Sequence, residues 1–259
     1  MNTRVRLRSL RGNPRLPTYV IFAAIAIAVV VLAIRHNVLN EQTLIFLAVF
    51  VPSVMCHEVS HGVVALWCGD DTAKRAGRLT LNPIRHIDPV GSIIVPIILA
   101  LTWGTPFGWA KPVPVSINRL RHPRNQAVLV GLAGPVTNII LAAIAGVTFH
   151  ELVLHVWMPQ PICSSFVCSY NPSDFALVEQ FVFLFGVINI ILAVFNLIPI
   201  PPLDGSAVLE RLLPVSALPG YYRIRTGFLV VVVVIVLFDR NGLSNFFGSL
   251  ENWFFARSF

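Results

Sequence analysis

Charge is what this sequence has least of. Lys, Arg, Asp and Glu make up 12% of 259 residues, hydrophobic residues make up 56%, and the mean hydropathy is +0.76. A soluble domain of this length needs about twice that charged fraction to cover its surface, so a water-soluble globular fold is excluded. Internal repeats, low-complexity tracts and nucleic-acid motifs are also missing. The net charge of +7 does not stand in for them. Its positive residues gather at the N-terminus and in particular loops, which is the pattern of membrane topology, and no nucleic-acid partner is expected. A cleavage site is lacking as well. The basic segment 1-MNTRVRLRSLRGNPRLP-17 and the apolar run 18–34 resemble a signal peptide, but the following RHNVLNEQ offers no small residues for cleavage. A retained signal anchor is expected instead.

What is present is a series of apolar runs near or above the roughly 18–20 residues that cross a bilayer. They predict spans at 18–34, 43–68, 126–149, 177–199 and, shorter, 226–238. The 14-residue run 90-VGSIIVPIILALTW-103, interrupted by Gly91 and Pro96, suits a re-entrant segment better than a crossing. The expected fold class is an all-α polytopic membrane protein of five or six transmembrane helices, with a re-entrant segment and a short β-like loop between the second and third. Residues 1–42 form a basic tail and first helix, 43–206 the core, and 207–259 a last helix and an aromatic tail. That tail is expected to lie at the interface or pack on the bundle.

Positive residues then assign sides. Arg4, Arg6, Arg8, Arg11 and Arg15 precede the first span. Lys74, Arg75, Arg78, Arg85, Lys111, Arg119, Arg121 and Arg124 lie between the second and third, and Arg211, Arg223 and Arg225 follow the fourth. All three sets share a side if 90–103 dips and returns, so the N-terminus and these loops are expected in the cytoplasm, at the cell membrane. Residues 35–42 and 150–176 are nearly free of Lys and Arg and face outward.

Within the second span, 57-HEVSH-61 is an H-E-x-x-H motif. On a helix, His57 and His61 share a face and can reach one ion, while Glu58 lies beside that face as a carboxylate able to accept a proton. Ionisable groups in a bilayer cost about 2.5–3.5 kcal/mol each and mark function. A zinc site contributes on the order of 10–16 kcal/mol, enough to offset several. A catalytic zinc needs a third protein ligand. His86, Asp88 and Asp204 are placed at the right level by the topology. His36, His150 and His155 fall on the outer side, and His122 lies among basic loop residues.

The motif 57-HEVSH-61 together with 196-NLIPIPPLDG-205 resembles the site-2 protease family of intramembrane zinc metalloproteases. Further likenesses at 81-LNPIRHIDPVGS-92, 108-GWAKPVPV-115 and 131-GLAGPVTN-138 extend it over most of 43–206, the catalytic core. The resemblance implies that His57, His61 and Asp204 bind one zinc ion, that Glu58 is the general base, and that Asn196 orients substrate or stabilises the oxyanion. Asp88 stays open as the third ligand in place of Asp204. The alternating prolines of 108–115 suit an exposed edge strand. Trp109, Ala110, Lys111, Pro112 and Val113 are therefore candidates to hold an unwound substrate by strand addition. Gly131, Gly134 and Asn138 read as helix-packing positions.

The implied function is hydrolysis of peptide bonds within or near transmembrane segments of a membrane-embedded protein substrate. The rival is a non-enzymatic metal-binding membrane protein, either a transporter or an inactive protease-like scaffold. A transporter more often shows repeated halves, and a scaffold would not need Glu58. Cys163 and Cys168 could pair in an oxidising compartment; Cys56 and Cys68 read as buried apolar residues. No space for an appended PDZ or cystathionine-synthase-type domain is expected, and no motif sets an oligomeric state.

Overall fold

Three expected spans emerge as long helices in the computed structural model: α1 (Glu41–Trp67), α3 (Pro123–Leu154) and α4 (Leu177–Leu197). Their apolar stretches, Thr43–Trp67, Pro123–Leu152 and Leu177–Leu197, run 25, 30 and 21 residues. At about 1.5 Å per residue each is long enough for a hydrocarbon core of about 30 Å. Short elements lie between them, α2 (Thr72–Arg75) and the antiparallel pair β1 (Ile162–Ser164) and β2 (Val167–Ser169), and α5 (Ser206–Leu212) follows the last. In the pair, the backbone of Cys163 lies opposite that of Cys168.

The structure describes residues 41–88, 111–154, 162–164, 167–169 and 177–223, and shorter pieces at 31, 35, 91, 227, 245, 248–250, 252–254 and 256. The expected spans at 18–34 and 226–238 and the segment 90–103 fall almost entirely outside them. The chain divides into two compact units, Met1–Leu44 with Ile87–Lys111 and Ile45–His86 with Pro112–Phe259. In the first, Asp88 Oδ1 accepts a hydrogen bond from the Gly91 N–H at 2.9 Å. The remaining features belong to the second unit.

Two buried clusters hold the long helices. Ala145 and Phe149 of α3 pack with Phe183 and Val187 of α4 and with Phe254. Ala65 and Cys68 at the end of α1 pack with Leu120 and Val130 at the start of α3, and the Arg121 N–H donates to the Cys68 carbonyl at 3.0 Å. The end of α1 and the start of α3 therefore lie together. Buried polar pairing adds a third tie: Asn189 Nδ2 of α4 donates to Ser53 Oγ of α1 at 2.8 Å, and both residues are fully buried.

On the outside of α3, Leu129, Val136, Ile139, Ile140, Ile144 and Val147 are exposed. In water such a stripe would be a liability; in a bilayer it is the lipid-facing surface. Pro52 and Pro135 sit inside α1 and α3 without ending them, as membrane helices tolerate.

Candidate metal centre and active site

The 3.6-residue period of α1 places His57 and His61 one turn apart on one face, both buried, with ring centroids 4.8 Å apart and edge to face. The third group arrives from the loop after α4. That loop folds back on the helix end: the Gly205 N–H donates to the Asn196 carbonyl at 2.7 Å. A Cβ at position 205 would sit 2.3 Å from the Leu197 carbonyl oxygen, so the close return requires glycine. Asp204 Oδ2 thereby lies 2.9 Å from His57 Nε2 and 3.2 Å from His61 Nε2.

Among the described residues, His57, His61 and Asp204 are the group whose donor atoms converge, all within 4.8 Å of one another. Ligands held about 2.0–2.1 Å from a tetrahedral zinc stand roughly 3.3 Å apart, close to the two distances above. The far side of each ring agrees with this use. His57 Nδ1 is 2.9 Å from Asn138 Oδ1, and His61 Nδ1 is 2.6 Å from the Val130 carbonyl oxygen. Both oxygens only accept, so each Nδ1 carries the proton and each Nε2 keeps a lone pair for an ion. Gly134 makes the space: a Cβ there would lie 2.5 Å from His57 Cε1 and Nε2 and from His61 Nε2.

An anionic oxygen between two imidazole lone pairs is a donor set suited to a divalent cation.

Glu58, half-buried beside the cluster, accepts a hydrogen bond at Oε2 from the Val113 N–H at 2.8 Å. Just past the end of α1, the buried Asp70 accepts from the Ser116 N–H at 2.6 Å, from the Thr72 N–H at 3.0 Å, and from the Thr72 hydroxyl. The irregular stretch 112–116 is thus fastened at both ends by carboxylates of the α1 region. It forms no strand among the described residues.

The structure brings together the His57, His61 and Asp204 anticipated from the motifs and sets Glu58 next to them. His86 is turned to its own loop, its Nε2 2.8 Å from the Thr80 carbonyl oxygen. Asn196 Nδ2 donates back to the Leu192 carbonyl at 3.0 Å. Val113 is buried, Lys111 and Pro112 are exposed, and Trp109 and Ala110 lie outside the described residues. The motif reading assigned Asn138 and Gly134 to helix packing; Asn138 instead meets a candidate ligand, and Gly134 leaves the room that both rings occupy. The available signal was their i, i+4 spacing, which sets a gap and an amide on one face of a membrane helix.

Helices apolar enough to span a bilayer, one of them carrying two histidines and an adjoining glutamate that meet an aspartate from the loop after α4, define the class: a membrane-embedded metallopeptidase. The family model for peptidase family M50 matches residues 158–238. The YwhC protein of Bacillus subtilis, which bears a zinc-metalloprotease name, is 41% identical over 189 residues, 71% of this chain and 76% of the relative. The chain belongs to peptidase family M50, the site-2 protease family. Rip2 of Mycolicibacterium smegmatis, with a name of the same kind, is 29% identical over 82% of this chain and 73% of its own length. Rip2 of Mycobacterium tuberculosis is 27% identical over 80% and 71%. No solved structure matches the chain at a significant level.

Proposed function

We propose that this chain is an intramembrane zinc endopeptidase that hydrolyses peptide bonds within or near transmembrane segments of membrane-embedded proteins. The observation that supports this best is the convergence of two Nε2 lone pairs and the Asp204 carboxylate beside an unassigned acid, Glu58. His57, His61 and Asp204 hold the ion. Zinc, when bound there, supplies Lewis acidity to the scissile carbonyl and to water.

Glu58 takes a proton from the attacking water at a carboxylate oxygen and passes it to the leaving amine. Its Oε2 bond to Val113 fixes the carboxylate plane and leaves Oε1 for that transfer. Asn196 retains a second amide hydrogen beyond its bond to Leu192 and donates it to the carbonyl oxygen as charge develops. Trp109, Ala110, Lys111, Pro112 and Val113 hold the unwound substrate in extended form; the anchoring of 112–116 to the α1 region supports a rigid platform there.

The protein lies in the cell membrane, with five or six helices, a re-entrant 90–103, and its N-terminus and site toward the cytoplasm. Sidedness follows from the Lys and Arg distribution. The adjacency of Cys68 and Arg121 supports a dip, since the connection between them returns to where it began. The core is 43–206, flanked by 1–42 and 207–259.

The test is co-expression with single-span substrates, comparing wild type and Glu58→Gln by product immunoblot and metal content. The variant is expected to retain zinc and lose cleavage by at least the 10²–10⁴-fold that general acid–base catalysis contributes. Equal cleavage by both proteins would overturn the mechanism.

A further inference from the structure

We infer that Asn138 is a positioning residue of the metal centre: its side-chain oxygen fixes His57 in the Nδ1–H tautomer and aims Nε2 at the ion. The inference rests on the ligand assignment above and goes beyond it. Asn138 is fully buried in an apolar helix, where an amide is costly unless it is hydrogen-bonded. The partner it has is a ligand ring, at 2.9 Å. A neutral imidazole carries one N–H. With Oδ1 facing Nδ1, that hydrogen sits on Nδ1 and Nε2 is a lone pair. With the amide reversed, its NH₂ would face Nδ1, the ring hydrogen would move to Nε2, and His57 could not ligate.

Asn138 Nδ2 is buried with no partner among the described residues. Native structures keep few such groups, and each calls for a reason; here the reason is that Oδ1 is needed at His57. The neighbouring ligand is served differently, since His61 Nδ1 meets a backbone oxygen, that of Val130. Val130, Gly134 and Asn138 lie at i, i+4 and i+8 on α3 and form one stripe: a carbonyl for one ring, a gap for both, and an amide for the other. Asn138 is thus the side chain through which the orientation of one ligand can be altered while the other is left alone.

The experiment uses full-length protein in lipid nanodiscs. Zinc affinity is measured by chelator competition, the visible spectrum is recorded after cobalt substitution, and thermal unfolding is followed without metal. Wild type should bind one zinc, and His57→Ala should lose it; failure of either arm overturns the ligand assignment, and this inference with it. Given that assignment, Asn138→Leu should bind zinc about 10–100-fold more weakly and shift the cobalt spectrum, with metal-free unfolding close to wild type. Asn138→Asp, which again offers an acceptor to Nδ1–H, should restore both affinity and spectrum. Wild-type affinity and spectrum in Asn138→Leu would overturn the inference, as would an Asp variant as weak as the Leu variant. Should Asn138→Leu fail to fold, Asn138→Asp alone decides: retained affinity supports the role, and a loss of about tenfold or more refutes it.

Discussion

Gly134 shows how much of this site is built from the absence of atoms. A methyl group at that position would lie 2.5 Å from the metal-facing edges of both histidine rings, and real Cβ contacts are never so short. Gly134→Ala would improve the intrinsic helicity of α3 by about 1 kcal/mol and overpack its contact with α1 by about 1–3 kcal/mol. The two effects nearly cancel, so metal-free stability should change by no more than about 2 kcal/mol. Zinc affinity should fall at least tenfold, because the rings must turn away from Asp204; chelator competition beside thermal unfolding separates the two effects. The same residue marks a limit of reading from sequence. The His57–His61 spacing is written in one helix and is legible from its period. What a glycine makes room for depends on which helix lies opposite, and the sequence does not state that. Asn138 was ambiguous for the same reason, since any buried amide in a span reads equally well as a helix-to-helix hydrogen bond.

The element that most needs explaining is the irregular stretch 112–116, which lacks a ladder and is instead held by Glu58 and Asp70. Burial raises the Asp70 carboxyl, but the Thr72 hydroxyl, the N–H groups of Ser116 and Thr72, and the Arg119 charge outweigh it, so its pKa is lowered. A lowered pKa means that the folded state prefers the ion. The stabilisation is complete above the ordinary aspartate value of about 3.9 and is lost as pH falls from there through the lowered folded value. Asp70→Asn puts a donor where the backbone needs an acceptor and should cost about 1–3 kcal/mol at neutral pH. The gap between wild type and variant should narrow below about pH 4, as read by thermal unfolding against pH; a gap that stays constant through that range would contradict the anchor. The three described spans were legible because apolar length is a property of sequence alone, and α1, α3 and α4 match the expected 43–68, 126–149 and 177–199 within a few residues. The anchoring of 112–116 was not, because its donors are backbone N–H groups that every residue except proline carries.

At the scale of the molecule, three independent contacts gather one end of the bundle. Arg121 N–H meets the Cys68 carbonyl, Arg211 Nε donates to Asn125 Oδ1 at 2.7 Å, and Asp204 meets both histidines of α1. The end of α1, the start of α3 and the loop after α4 therefore share one membrane face, whatever path residues 89–110 take. That face carries Lys74, Arg75, Arg78, Arg85, Arg119, Arg121, Arg124 and Arg211, whereas residues 155–176 hold no Lys or Arg. The structure gathers these segments on one face, and the proposed cytoplasmic orientation of that face rests on its positive charge. Single cysteines placed at Arg78, Val215 and Ser169 in a background otherwise free of cysteine test both statements. A membrane-impermeant maleimide added to intact cells should label only the Ser169 position, and the other two should react once the membrane is opened. Labelling of all three with sides exchanged would reverse the orientation but keep the fold. Labelling of positions 78 and 215 from opposite sides would require an odd number of crossings between them, which the shared face of α1, α3 and the Asp204 loop does not allow.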